Sequence, residues 1–239
     1  MSVVAIMQPS YLPWLGYFGL MDRVDIFVYL DSVQFARRSW QQRNRIKSNR
    51  GEVMLTIPVM KKGLRDQKIN EVEILYGLEF PRRHIDIITA AYRGAAFFDA
   101  YAPALYEMLR AGHRKLADLT IAISEWLAQV FGIVARRIRA GTMDSAGAKA
   151  DLLVHLCRQL GTSQYISPIG SHDYLADSNA FAQAGIELSY HSYEHPIYPQ
   201  RHGAFLPFMA AVDLLFNVGP GSLAVIRSGQ RAVVAPSEL

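Results

Sequence analysis

The chain has 239 residues, 51% of them hydrophobic and 19% charged, which is enough apolar material for a full buried core and too much for a disordered chain. One cysteine, Cys157, excludes an intrachain disulfide and a multi-cysteine zinc site, and its leucine neighbours mark it as a packing thiol. A formal charge of +4, from 25 basic and 21 acidic residues, favours anionic ligands as a class.

The basic residues are dispersed and carry no zinc-finger, basic-zipper or RNA-recognition signature, so nucleic acid is not the expected partner. No apolar run reaches the roughly eighteen residues of a membrane span. Residues 1–4 lack the basic region of an export signal, and a cytoplasmic location is expected.

In chain order, the apolar run 3–7 reads as a strand, the proline-bounded stretch 8–14 as a tight loop, 15–21 as a helix and 25–30 as a second buried strand. Such a unit puts the loop, and the polar cluster Asp31, Gln34, Arg37 and Arg38, at the carboxyl ends of parallel strands, where open α/β sheets bind ligands. Residues 53–59 read as a third strand, with Pro58 at its end or on an edge. A basic turn follows at 61–65, and 71–75 alternates in period two, so the sheet is expected to continue there.

From residue 79 the period becomes helical. Phe80, His84, Ile87, Ile88, Ala91 and Tyr92 share a face before Gly94, a second run covers 101–109, and a third runs from Leu116 to a stop at Gly132. Residues 79–132 are therefore expected to form a helical layer or subdomain. A short strand at 133–140 and a helix ending at Leu160 come next. Strands at 165–167 and 186–191 then flank a helix over 173–184, a second β-loop-α-β unit whose loop 168–174 again gathers polar groups. An apolar helix over 205–216, containing Asp213, precedes a glycine-rich tail. With no repeat or low-complexity linker, the expectation is one α/β domain over 1–239, Rossmann-like, with a mostly parallel sheet.

Gln8, Asp31, Gln34, Arg43, Asn44, Arg45 and Lys47 supply amide, carboxylate and cationic groups near Tyr11, Trp14 and Trp40. Such mixtures bind nucleotides and sugars: rings pack on aromatic faces, amides and carboxylates bond hydroxyls, and guanidinium grips phosphate. The bland alternative makes Trp14 and Tyr17 core residues and 43–47 a solvated face. His191 and His195 are four apart, but in a strand they do not converge, so no metal pair is expected. His195 suits a general base or a donor to a phosphate or carbonyl oxygen, with a satisfied structural histidine as the competing reading. Ser10, Ser39 and Ser171 lie in no Gly-x-Ser-x-Gly elbow, and neither a Walker loop nor a Gly-x-Gly-x-x-Gly fingerprint occurs.

The sequence resembles the WbqC-like protein family. The likeness rests on Gln8-Pro9-x-Tyr11-Leu12-Pro13-Trp14-Leu15-Gly16-Tyr17-Phe18, Asp31-x-x-Gln34, Trp40-x-x-Arg43-Asn44-Arg45-Ile46-Lys47 and Leu55-Thr56-Ile57-Pro58-Val59. It continues through Tyr174-Leu175, His195-Pro196-x-Tyr198-x-Gln200, Phe205-x-Pro207 and Asp213-Leu214-Leu215-Phe216-Asn217-x-Gly219. The chain departs from the family pattern at Gln41 and at Ala210-Ala211. The family takes its name from bacterial O-antigen and surface-polysaccharide gene clusters. The resemblance therefore implies a transferase that places an acyl or aminoacyl group on an amino-sugar carried by a nucleotide.

On that reading Arg43, Arg45 and Lys47 grip phosphates, while Gln8, Tyr11, Asp31 and Gln34 orient the sugar. Asp31 and His195 take part in the chemistry, and Trp14, Trp40, Asn44, Tyr174, Tyr198 and Gln200 complete the substrate site. No metal ligand set is implied. The residues name no cofactor: ATP or an acyl donor would suit, with Mg²⁺ arriving on a nucleotide. A second likeness is to the nucleotidyltransferase superfamily marked by His-x-Gly-His, although the matching place here reads Trp14-Leu15-Gly16-Tyr17, with both histidines replaced. It leaves an ATP-dependent ligase or nucleotidyltransferase as one alternative. A non-catalytic sugar- or partner-binding protein is another.

Overall fold

The structure, a computed structural model, describes residues 2–64, 66–77, 79–175 and 178–239. The elements begin with β1 (Val3–Met7), α1 (Leu15–Asp22) and β2 (Ile26–Tyr29), followed by β3 (Arg43–Ser48) and β4 (Gly51–Thr56). Three helices follow, α2 (Arg82–Tyr92), α3 (Phe98–Arg110) and α4 (Leu116–Phe131), and then β5 (Arg136–Arg139), α5 (Lys149–Gln159) and β6 (Gln164–Pro168). The chain continues through α6 (His172–Leu175), α7 (Ala180–Gln183), β7 (Glu187–His191), α8 (Ala211–Val218) and α9 (Ser222–Ser228).

Five strands form one parallel sheet in the order β5-β2-β1-β6-β7. Register is set by Val4 opposite Ile26 and Tyr165, Tyr29 opposite Arg139, and Pro168 opposite His191. Because strand side chains alternate, β1, β2 and β6 each feed two cores. Ala5, Phe27, Tyr29 and Ile166 join α1, α2, α3, α4 and α8 on one face. Val4, Ile6, Ile26, Val28, Tyr165 and Tyr190 join α5 and α7 on the other. The fold is α/β and Rossmann-like, and the helices of 82–131 share one core with α1 and the sheet. Gly132 adopts a left-handed cap, φ 79°, where the sequence indicated that α4 stops.

The sequence misplaces the middle strands. Residues 51–56 do not extend the sheet; β4 pairs antiparallel with β3 in a separate hairpin, Arg43 opposite Thr56 and Ser48 opposite Gly51. The 71–75 segment makes only isolated bridges, Val59 with Ile74 and Glu73 with Lys115, and its backbone hydrogen-bonds to Pro58 and Met60 on one side and to Arg114 and Leu116 on the other. Period-two patterning reports a half-buried strand and is silent on its partner. The helix expected from 205 begins at Ala211, because the chain turns at 207–208, with Phe208 at φ 61°, and the Ala210 and Ala211 amides donate to the Arg45 and Pro13 carbonyls. The tail contains α9, anchored by Arg227 on Asp22 and by buried Ile226. The helix expected over 173–184 consists of the short α6 and α7; residues 176 and 177 lie outside the described residues, as does Arg65 of the basic turn, whose residues 61–64 are exposed.

Candidate functional site

The sheet order reverses at β1, which has β2 on one side and β6 on the other. This is the switch point at which α/β sheets open a crevice. The loop after β1 bends sharply there, with Leu12 at φ 45°, and is tied by three backbone contacts. The Tyr11 amide donates to the Trp40 carbonyl (3.0 Å), Asn44 Nδ2 to the Leu12 carbonyl (2.7 Å) and the Ala211 amide to the Pro13 carbonyl (2.8 Å). These contacts bring Trp14 and Trp40 to one place. Gly16 is required beside them: a Cβ there would lie 2.2 Å from the Trp14 ring, so only glycine lets the indole fold back over the start of α1.

Three cavities meet at Met7, the last residue of β1. The outer lobe, about 320 Å³, lies between Trp14, Trp40 and Phe208, with Ser10, Asn44 and Arg45. The side lobe, about 390 Å³, runs along Gln8, Ser10, Ser39, Trp40 and Gln41 to Ser171 and Tyr174 after β6. The inner lobe, about 190 Å³, passes Trp14, Gly16 and Tyr17 to Ile169, Gly170, His191 and Tyr193.

Trp40, 49% exposed, forms a fin between the outer and side lobes. The Arg43 and Arg45 guanidinium carbons stand 6.0 and 5.7 Å from its ring centroid. Arg45 also donates to the Phe208 carbonyl and pairs with Glu52 at 2.9 Å, whereas the buried Nε of Arg43 has no hydrogen-bond partner. Gln8 accepts from Gln41 Nε2 at 2.7 Å, and Gln41 in turn accepts from the Ala36 amide.

Of the expected site residues, Gln8, Trp14, Trp40, Asn44, Arg45 and Tyr174 line this crevice, with Arg43 against Trp40. Others lie elsewhere. Asp31 is fully buried; Arg139 Nε and Nη2 reach its Oδ2 at 2.8 Å, and the Gly141 amide donates to Oδ1 at 2.7 Å, so both oxygens tie the end of β2 to the end of β5. Gln34 is exposed and meets Asp66. Tyr11 is buried, its hydroxyl hydrogen-bonded to His84 Nδ1 at 2.8 Å.

Lys47 is 2% exposed, so it is not placed to grip a phosphate in the crevice. Its ammonium donates to Gln200 Oε1 and to the Gly203 and Ala204 carbonyls. Gln200 Nε2 and the Tyr198 hydroxyl both donate to Asp213 Oδ2 at 2.8 Å. Burial pushes the Asp213 carboxyl up, opposed by these hydrogen bonds. Lys47, Tyr198, Gln200 and Asp213 thus fasten the 198–210 segment, and with it the Phe208 wall.

His195 stands behind that wall, stacked on Trp14 (6.1 Å, 13°) and edge-on to Phe208 (5.1 Å). Its Nδ1 meets the Pro196 carbonyl at 3.0 Å, so Nδ1 carries the proton, and the bare Nε2 is buried without a partner. Burial lowers its pKa, keeping the ring neutral. Among the crevice residues that sequence reasoning did not assign to the site are Met7, Phe208, His191 and Tyr193. His191 alone carried a usable signal, its place at the carboxyl end of a parallel strand. Among the described residues no group of three or more His, Cys, Asp or Glu is placed to hold a metal ion, and no helix is long and apolar enough to cross a membrane.

Comparison with known proteins gives two findings. The family model described as the WbqC-like protein family matches residues 8–225. A Mycobacterium tuberculosis protein described as "Uncharacterized protein Rv1507c" is 34% identical over 221 residues, covering 92% of this chain and 95% of that protein. No solved structure matches the chain significantly. The matched span includes the loop after β1, the β3–β4 hairpin and the Phe208 wall, so the residues that build the crevice, apart from those of β1, lie within it, and the chain belongs to the WbqC-like protein family.

Proposed function

We propose that the protein is an enzyme of bacterial surface-polysaccharide or amino-sugar biosynthesis that transfers an acyl or aminoacyl group to a nucleotide-linked amino-sugar. The observation that carries the reading is the Trp40 fin, an exposed indole flanked by two guanidinium groups at the switch-point crevice. A base or sugar ring packs on such a face, and the adjoining cations neutralise a diphosphate. Outer and side lobes on either side of the fin offer separate room for a nucleotide-sugar and a donor. Asn44, Ser10 and Gln8 supply the sparse polar contacts that orient a ligand in an otherwise apolar cleft.

In this reading Arg43 and Arg45 hold phosphate, and Trp14 and Trp40 hold rings. His195 backs Trp14, while Lys47, Tyr198 and Gln200 hold the Phe208 wall. Asp31 secures the strand ends beneath the site. Thermal denaturation against UDP-, GDP- and dTDP-linked amino-sugars, ATP and acyl-CoA tests it. A ligand present at a hundred times its Kd stabilises the native state by about 2.7 kcal/mol. A melting shift with one nucleotide-sugar class is the expected result. A shift with ATP alone, accompanied by pyrophosphate release when substrates are mixed, replaces the transferase with a ligase.

A further inference from the structure

The inner lobe has a feature that a ring-and-phosphate site does not need. His191, at the end of β7, is 6% exposed, and neither Nδ1 nor Nε2 has a hydrogen-bond partner. A neutral imidazole carries one donor and one acceptor, and leaving either buried and unpaired costs about 1–3 kcal/mol. The surroundings do not supply partners. The Gly16 backbone comes close enough to favour the protonated ring but completes no hydrogen bond with either nitrogen, and the Tyr193 hydroxyl is committed to the Ile226 carbonyl at 3.1 Å.

The charged groups nearby are also occupied: Arg23 reaches Gln230, and Asp22 pairs with Arg227. On α1 the facing residue is Gly19, where a Cβ would lie 3.4 Å from His191 Nε2 and 2.6 Å from the Tyr193 ring. The fold thus keeps a buried imidazole, unpaired at both nitrogens, in the lining of a lobe that joins the ring-binding crevice at Met7 and Trp14. At about 190 Å³ this lobe takes one end of a ligand and not a whole nucleotide.

We propose that His191 is the proton acceptor of the crevice, meeting the amine of the nucleotide-linked amino-sugar in the inner lobe. The inference rests on the transferase reading above. The amine nitrogen attacks the carbonyl carbon of an activated acyl donor, a thioester or acyl phosphate. A carbon–nitrogen bond forms, the amine proton passes to the bare imidazole nitrogen, and the carbonyl electron pair moves to oxygen. The intermediate collapses by breaking the carbon–sulfur or carbon–oxygen bond, the pair leaves with the thiolate or phosphate, and His191 returns its proton to that leaving group.

The free protein holds the base in reserve. Burial, and secondarily the Arg23 charge, lower the His191 pKa to about 4, so the ring is neutral at pH 7. An incoming diphosphate reverses part of this shift, because a neighbouring anion favours the imidazolium. Substrate binding therefore raises the basicity of the residue that must accept the proton.

The test is ¹⁵N NMR of histidine-labelled protein, with His191→Gln assigning the His191 signals, before and after saturation with whichever UDP-, GDP- or dTDP-linked amino-sugar binds. The expected result is a displaced His191 ring resonance and a pKa moved upward from about 4 toward the ordinary histidine value. The His191→Gln variant should bind that ligand within threefold of the native Kd and lose at least about a hundredfold in kcat. Gly19→Ala, whose methyl group presses on the Tyr193 ring and comes within 3.4 Å of His191 Nε2, provides a second variant with His191 intact and should also lower kcat. A bound nucleotide-sugar that leaves the His191 resonances unmoved, or unchanged kcat in His191→Gln, overturns the role while sparing the transferase reading. Failure of every nucleotide-sugar to bind removes that reading and this role together.

Discussion

Replacing Trp40 with alanine separates binding from folding, because the side chain is half exposed while its backbone carbonyl still accepts from the Tyr11 amide. A ring stacked on an aromatic side chain contributes about 1–3 kcal/mol, which corresponds to about a 5- to 150-fold weaker Kd for the nucleotide-sugar. The guanidinium groups of Arg43 and Arg45 also lose their platform, a term of about 0.5–1 kcal/mol each at exposed sites. Folding loses little, no more than about 2 kcal/mol, since no large buried cavity is left. Titration calorimetry of native and variant protein with the same nucleotide-sugar measures the first effect, and urea denaturation measures the second. An affinity loss below threefold, or a destabilisation large enough to account for the affinity change, refutes the stacking role.

Three further outcomes follow from the buried polar groups. Lys47→Met leaves Gln200 and two carbonyls without their donor, and breaking such a buried charged network should destabilise the fold by about 3 kcal/mol in urea and weaken ligand binding through the Phe208 wall; an unchanged midpoint contradicts the anchor. Asp31→Asn should cost about 1–3 kcal/mol of stability through weakened pairing with Arg139 while leaving nucleotide-sugar affinity within threefold; lost affinity with intact stability would return Asp31 to the site. His84 and His191, both lowered by burial to about 4, bind fewer protons folded than unfolded between pH 4 and 6.5. Stability should therefore be fully present above the unfolded value near 6.5 and fall as pH drops toward about 4, by up to about 3 kcal/mol per histidine. A flat urea midpoint across that window contradicts both burials.

The parts of the fold legible in the sequence are those where local pattern and final environment agree. Residues 3–30 and 164–191 carry uninterrupted apolar strands joined by helices, and an all-parallel sheet buried on both faces demands that pattern. The Trp14 and Trp40 neighbourhood was legible by residue type, although the contact joining them, Tyr11 amide to Trp40 carbonyl, spans a loop that no periodicity reports. Strand β3 was hidden because Arg43-Asn44-Arg45-Ile46-Lys47 reads as a charged surface, yet Asn44, Ile46 and Lys47 are buried. Lysine is seldom buried, and the groups that make it tolerable here lie 153 to 157 positions away. Asp31 is misleading for the same reason: its type suits a site, but its partner Arg139 is 108 residues distant. His195 carries the composition of a general base and is enclosed by Trp14, Phe205 and Phe208, an aromatic packing assembled from separate segments.

Hydrogen–deuterium exchange with and without the nucleotide-linked amino-sugar that raises the melting temperature tests most directly whether the switch-point crevice is the site. The account predicts slowed exchange confined to segments 8–17, 40–45, 168–174, 191–193 and 205–211, the walls that meet at Met7. Protection centred instead on 53–58 and 83–87, where a separate cavity of about 310 Å³ lies between β4 and α2, would place the ligand elsewhere and contradict it.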